Sequence, residues 1–185
     1  MTTASAPRAP HRISTRTLLT LAAIGVAAGI VIVPTSALAA IVWVAAPPVY
    51  GLLVAPYVIP AVLAQALVRR AGSALITGVV AGIIAVPFTG SIGSLSLFVF
   101  VAVFVEAPYA ATRWRRWGVG MAYVAAGVLA AAYAFFWWIT LDAETFPPLV
   151  RALTIAMLVA MIFAATAVGR LIASGLRRAG VGRNL

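Results

Sequence analysis

The sequence contains no cysteine and only one histidine, His11, among its 185 residues. Metal sites and catalysis that depend on thiolate or imidazole groups therefore lack their side chains, and we expect no metal and no other cofactor. Charge is also scarce, because 9% of the residues are charged where a soluble domain carries about a quarter. Hydrophobic residues make up 64% of the chain and the mean hydropathy is +1.13. This composition cannot cover a water-soluble surface, so the chain is predicted to be a membrane protein.

Apolar runs between charges and helix breakers predict the transmembrane segments. A bilayer core needs roughly 20 apolar residues per helix, so a chain of this length holds about six spans. They are expected at residues 17–33, 48–68, 72–88, 94–112, 117–141 and 147–176. The Pro-bounded stretch 34–47 is predicted to be a connection, because it is too short for a span of its own. The predicted fold is an all-α bundle of six transmembrane helices at 17–178, with an N-terminal arm at 1–16 and a tail at 179–185.

The positions of the basic residues support this division, because short cytoplasmic loops collect Lys and Arg. With six spans, all but one of the arginines fall on the same side of the membrane: Arg8, Arg12, Arg16, Arg69, Arg70, Arg113, Arg115, Arg116, Arg170, Arg177, Arg178 and Arg183. The opposite connections have only Arg151 nearby and contain two of the three acids, Asp142 and Glu144. Both termini are therefore predicted to be cytoplasmic, with the spans in the cell membrane. The net charge of +10 forms neither one face nor a basic tail, so nucleic acid is not an expected partner.

The first apolar run also imitates a cleaved signal peptide, since arginines precede it and Ala37-Leu38-Ala39 follows. The run is longer than the usual hydrophobic region of such a peptide, and its removal would leave an odd number of spans. We expect it to remain as the first helix.

Glu106 lies inside the fourth predicted span, where an ionisable residue is costly and is a functional candidate by default. It could accept hydrogen bonds from a cationic or amino-bearing ligand in the bundle interior. The alternative is a carboxylate paired with an arginine near the inner interface. The sequence leaves both readings open.

Aromatic residues cluster toward the half opposite the arginines. Their rings could stack on a flat heterocycle or hold a cation, although Trp and Tyr also form belts at both interfaces of any membrane protein. With Glu106, the candidate substrate-binding residues are Trp43, Tyr50, Tyr109, Tyr133, Trp137 and Trp138.

Small residues recur every fourth position in the first and third spans. Ala23 and Ala27, Gly25 and Gly29, and Gly78 and Gly82 form small-xxx-small patterns that permit close helix approach. The four in the first span are candidates for contact with a partner subunit. No phosphate-binding loop, no Ser/His/Asp set and no paired intramembrane acids occur, so the chain is not expected to be an enzyme.

Three stretches carry a resemblance to a known family: Pro48-Val49-Tyr50-Gly51, residues 67–75 and residues 105–114. There the sequence resembles the YkoE family of membrane-embedded substrate-binding (S) components of energy-coupling-factor (ECF) vitamin transporters. The resemblance implies capture of thiamine or its hydroxymethylpyrimidine precursor, with release driven by a transmembrane coupling subunit and two ATP-binding subunits. Glu106 and the Tyr50-Gly51 pair match the family pattern. Family members can carry an acid just before the Pro that precedes this Tyr-Gly, where the present chain has Ala46, so the vitamin is left open.

A different class of function is an autonomous secondary transporter or channel for a small cationic or neutral metabolite, since a few polar groups can define a pore. Transport in vesicles without ATP-binding subunits would favour it. Co-purification with such subunits would favour the S component.

Overall fold

The computed structural model describes residues 14–140 and 143–181, and this part of the chain consists of helices and turns. Its helices are α1 Thr15–Ala45, α2 Pro47–Tyr50, α3 Ala55–Val68, α4 Ser73–Thr89, α5 Gly93–Ala111, α6 Val119–Thr140 and α7 Pro148–Arg178. Short 3-10 turns lie at Gly51–Val54 and Ala143–Thr145. The predicted arm before residue 14, the end of the tail and Asp142 lie outside the described residues. The all-helical class is confirmed.

Five segments are long and apolar enough to cross a membrane: Thr15–Ala39, Pro48–Val68, Gly93–Ala111, Val119–Thr140 and Pro148–Arg178. The remaining apolar helix, α4, has 17 residues. At 1.5 Å per residue it is about 25 Å long, a little less than the roughly 30 Å of a bilayer core. Six spans remain the prediction, with α4 as the shortest.

The predicted connection at 34–47 is wrong, because α1 continues through it as one helix to Ala45. Pro34 lies inside this helix, and proline is tolerated within membrane helices. The hydroxyls of Thr35 and Ser36 each donate to a carbonyl three residues earlier, at 2.8 Å. At about 46 Å, α1 extends past the thickness of a bilayer core.

The second span is divided into α2, the 3-10 turn and α3. Prolines begin α2 and α3, where their missing N–H groups cost no helical bond. The turn runs very close to α7: a Cβ on Gly51 would lie 3.0 Å from the backbone nitrogen of Leu158. A side chain at position 51 would therefore crowd the backbone of α7.

Helix α4 packs mainly between α1 and α5, and glycines allow the close approach on both sides. A Cβ on Gly29 of α1 would lie 2.6 Å from the carbonyl oxygen of Ala81 in α4. A Cβ on Gly78 of α4 would lie 2.9 Å from the carbonyl oxygen of Phe98 in α5. The close approaches at these glycines are therefore between helices of the same chain, and the contact with a partner subunit predicted for the first span stays a prediction.

The antiparallel order of the helices gives the bundle two distinct ends. The arginine-rich end contains the start of α1, the turns at 69–72 and 112–118, and the end of α7. The opposite end contains the end of α1, α2, the turn at 90–92, the end of α6 and the start of α7.

Candidate functional site

A cavity of about 610 Å³ opens at the end of the bundle opposite the arginines. It lies between the end of α1, Tyr50 of α2 and the turn that joins α4 to α5. Its hydroxyl groups come from Ser36, Tyr50, Thr89, Ser91 and Ser94. A second cavity of about 310 Å³ shares Tyr50 and Gly93 with the first and is otherwise mostly apolar.

Two buried tyrosines connect α2 with α6 beside these cavities. The hydroxyl groups of Tyr50 and Tyr133 are 3.3 Å apart and form a hydrogen bond. Tyr133 is fully buried and meets the Phe100 ring edge-on, with the ring centroids 5.6 Å apart. This pair holds the Tyr50 ring in place at the cavity wall.

Trp137 follows Tyr133 by about one turn of α6 and is also fully buried. Its indole Nε1–H has no hydrogen-bond partner in the part of the chain that the structure describes. A buried N–H without a partner is costly, so a group that accepted its hydrogen bond would be stabilised here.

The other two predicted tryptophans differ from Trp137. Trp138 is 38% exposed, and the guanidinium of Arg151 lies 5.6 Å from its ring centroid. One face of this ring therefore already holds a cation. Trp43 lies in α1, and its side chain is outside the described part of the structure.

Glu106 lies at the arginine-rich end and binds the start of a helix. Its carboxylate accepts hydrogen bonds from the backbone N–H of Gly72 and, at 3.3 Å, from that of Leu75. These N–H groups belong to the first turn of α4, where the helix dipole favours a negative charge. Ser94, at the cavity, precedes Glu106 by 12 residues, which is about 18 Å along α5. The structure therefore does not bring Glu106 together with Tyr133 and Trp137.

Tyr109 also lies at the arginine-rich end, where its ring packs against Trp117 with the centroids 5.2 Å apart. It lines a small cleft together with Gln65, with the arginine that follows α3 and with two arginines of α7. Of the predicted substrate-binding residues, Tyr50, Tyr133 and Trp137 thus share one end, while Glu106 and Tyr109 share the other.

The four predicted interface residues of α1 face two directions. Gly25 and Gly29 are buried against α4. Ala23 and Ala27 are exposed and line an apolar groove of about 460 Å³ between α1 and α3. Because α4 covers the two glycines, the two alanines are the members of this set that a partner subunit could contact directly.

Sequence reasoning missed the hydroxyl groups of the cavity and the amide of Gln65. Thr89 and Ser91 lie between the predicted spans 72–88 and 94–112, and Ser94 begins the second of these spans. The composition of a short connection does not indicate that it closes a cavity. Gln65 could have been identified from the sequence as a candidate functional residue, because it is a single amide within an apolar run.

The fold and the site are those of a multi-pass helical membrane protein with a cavity at the end of the bundle away from its arginines. Among solved structures, the fold matches one titled "Crystal structure of an S-component of ECF transporter", with a TM-score of 0.78. The match covers 94% of this chain and 90% of that one at 15% sequence identity. At this identity the likeness shows the fold.

The family follows from the sequence itself. The family described as "ABC-type cobalt transport system, permease component" matches residues 16–133. The chain therefore belongs to this family of transport permeases, which are not enzymes. No match is found among curated proteins. The prediction of an S-component fold is confirmed, while the YkoE type and its vitamin stay predictions.

Proposed function

We propose that the chain is the substrate-binding S component of an ECF-type ABC importer and that it captures thiamine or its hydroxymethylpyrimidine precursor. The observation that carries the proposal is the buried Tyr50–Tyr133 pair at the wall of a cavity lined by hydroxyl groups. By the positive-inside rule, the cavity opens outside the cell and the arginine-rich end faces the cytoplasm.

The size and the lining of the cavity suit a small organic molecule. Ligand pockets for such molecules measure roughly 300 to 1,000 Å³ and combine aromatic walls with a few polar groups. The two cavities that meet at Tyr50, of about 610 and 310 Å³, fall in this range. A flat pyrimidine can stack on the aromatic rings, and its ring nitrogens and amino group can bond the hydroxyl groups.

A cobalt ion is the cargo that the family description suggests, and the residues present favour an organic molecule instead. Transition metals prefer imidazole, thiolate and carboxylate ligands. Among the described residues, no group of three or more His, Cys, Asp or Glu could hold a metal ion. Titration of the protein with Co²⁺, in the binding experiment described below, tests this choice.

The proposed partners are a transmembrane coupling subunit and two ATP-binding subunits. The groove between α1 and α3 is the proposed contact with the coupling subunit, with Ala23 and Ala27 at its rim. Small residues there allow a partner helix to approach closely.

The binding experiment uses the purified chain in a mild detergent. Thiamine, hydroxymethylpyrimidine and Co²⁺ are titrated separately while tryptophan fluorescence is followed, and mass spectrometry identifies small molecules that the protein retains. Binding of either pyrimidine compound supports the proposal. Binding of Co²⁺ alone would replace the vitamin with the metal as cargo, and uptake by vesicles that contain only this chain would favour an autonomous transporter.

A further inference from the structure

A cleft at the arginine-rich end collects positive charge from three places in the chain. Arg69 follows α3, and Arg170 and Arg177 lie one above the other in the last turns of α7. All three arginines line the same cleft, so their positive charges repel one another. Arg69 is exposed, and Arg170 and Arg177 are half-buried. An anion bound between them would reduce the repulsion among the three charges.

The described acids do not supply that anion. Both oxygens of Glu106 accept hydrogen bonds from the start of α4. Glu144 lies in the 3-10 turn at the opposite end of the bundle. One of the three arginines already bonds the protein backbone: Nη1 of Arg177 donates to the carbonyl oxygen of Ala66 in α3, at 2.5 Å.

A buried amide adds a second, independent observation. Gln65 lines the same cleft and is 2% exposed. Its Oε1 accepts a hydrogen bond from the Ser73 hydroxyl at 2.9 Å. Its Nε2 has no partner within residues 14–140 and 143–181. A buried donor beside three arginines calls for an acceptor that carries negative charge.

The cleft is small, and its size limits the ligand. Its volume is about 20 Å³, which is room for about one oxygen atom. A ring does not fit. One oxygen of a tetrahedral oxyanion fits at the bottom, and the remaining oxygens then lie at the mouth among the arginine side chains.

We propose that this cleft binds a phosphate oxyanion, with Gln65, Arg69, Arg170 and Arg177 as its donors. Basic pockets between helix ends at the cytoplasmic interface are suited to phospholipid headgroups, and arginine forks match phosphate geometry. The phosphate can come from an anionic lipid of that leaflet or from free phosphate. The site is separate from the cavity that contains Tyr50 and does not depend on which substrate occupies it.

The test measures binding to the purified full chain in neutral detergent. Phosphatidylglycerol, phosphatidylcholine and inorganic phosphate are added separately at matched ionic strength, and native mass spectrometry and thermal unfolding report the bound species. The cleft variants are Arg170→Gln, Arg177→Gln and Gln65→Glu. The matched controls are Arg115→Gln and Arg116→Gln, which remove the same charge from exposed positions at the same end.

The expected result is one retained phosphatidylglycerol per chain and little retained phosphatidylcholine. Each arginine variant of the cleft should weaken binding tenfold or more, as expected for a lost charged hydrogen bond, while the controls stay within about threefold. Gln65→Glu keeps the acceptor for Ser73 and places a carboxylate beside the arginines, so it should abolish binding without lowering the unfolding temperature. Stabilisation by inorganic phosphate alone would support the oxyanion site with free phosphate as its source.

Two results would overturn the proposal. In one, neither phosphatidylglycerol nor phosphate binds to the wild-type chain, which would leave a carboxylate from a partner protein as the occupant. In the other, the control variants weaken binding as much as the cleft variants do, which would mean that the whole basic surface attracts anions and that the cleft is not a specific site. If an arginine variant fails to fold, the binding of phosphatidylglycerol and phosphate is compared between Gln65→Glu and wild type alone. Equal binding by the two would overturn the proposal.

Discussion

At the scale of single residues, Glu106 shows how an intramembrane acid can be satisfied without a ligand or a counter-ion. Both of its oxygens bind backbone N–H groups at the start of α4, which have no partner inside that helix. No arginine among the described residues forms an ion pair with it. The carboxylate therefore joins α5 to α4 at the arginine-rich end.

The first prediction separates this helix-capping role from the ligand role predicted from the sequence. Glu106→Gln should lower the free energy of unfolding by about 1–2 kcal/mol, because the amide loses the charge that the helix dipole stabilises. The affinity of the cavity for its substrate should stay within about twofold of wild type. Thermal unfolding and ligand titration measure the two effects. A tenfold loss of affinity in a folded variant would establish Glu106 as a ligand-binding residue.

The second prediction concerns the Tyr50 hydroxyl, which bonds Tyr133 and lies at the wall of both cavities. Tyr50→Phe should weaken substrate binding about two- to tenfold, as expected for one neutral hydrogen bond. Tyr123→Phe is the matched control, because Tyr123 lies on α6 but stacks on Phe163 away from the cavities. Equal affinity of wild type and Tyr50→Phe would remove Tyr50 from the site.

At the scale of helices, close packing of α4 depends on the absence of side chains. Gly25 and Gly29 bring α1 against one side of α4, and Gly78 and Gly82 bring α5 against the other. Van der Waals packing is a main source of stability for helices in lipid, so lost contact at these positions cannot be recovered by the hydrophobic effect.

The third prediction tests this packing with the smallest possible side chain. Gly29→Ala should lower the free energy of unfolding by about 1–3 kcal/mol, because its Cβ would overlap the backbone of α4. Gly127→Ala is the control: a Cβ there meets nothing within 4 Å, and alanine favours a helix by roughly 0.5–1 kcal/mol over glycine. Unfolding in detergent measures both. Equal stability of the two variants would contradict the packing.

The fourth prediction concerns the exposed side of α1. Ala27→Leu should reduce assembly with the coupling subunit and transport about tenfold or more, because a large side chain fills the groove between α1 and α3. Ligand binding by the isolated chain should be unchanged. Ala131→Leu changes an exposed alanine of α6 in the same way and serves as the control. Full assembly of Ala27→Leu would place the coupling contact elsewhere.

At the scale of the whole molecule, the sequence predicted the helices well where charge and hydropathy agree. The turns at 69–72 and 112–118 carry arginines, and the structure ends and begins helices there. The continuation of α1 past Pro34 was not predicted, because a proline together with Thr35 and Ser36 is also typical of a connection between spans. The contact of Glu106 with the start of α4 could not be predicted either, because the sequence does not show which helices are neighbours in the bundle.

The last prediction is the orientation of the chain in the membrane, on which the assignment of both ends depends. Short loops rich in arginine stay in the cytoplasm. Reporter domains fused after Arg70, after Arg116 and at Leu185 should therefore all read as cytoplasmic. A reporter inserted at residues 89–93 should read as external, because the turn between α4 and α5 lies at the end away from the arginines. The short helix α4 makes this insertion the sharpest part of the test: at about 25 Å it must cross nearly the whole bilayer core for the turn to be exposed. A cytoplasmic reading at 89–93 with the other three unchanged would mean that α4 and α5 re-enter without crossing. The cavity at Tyr50 could then not collect substrate from outside, and the proposed direction of capture would be wrong even though the fold remains that of an S component.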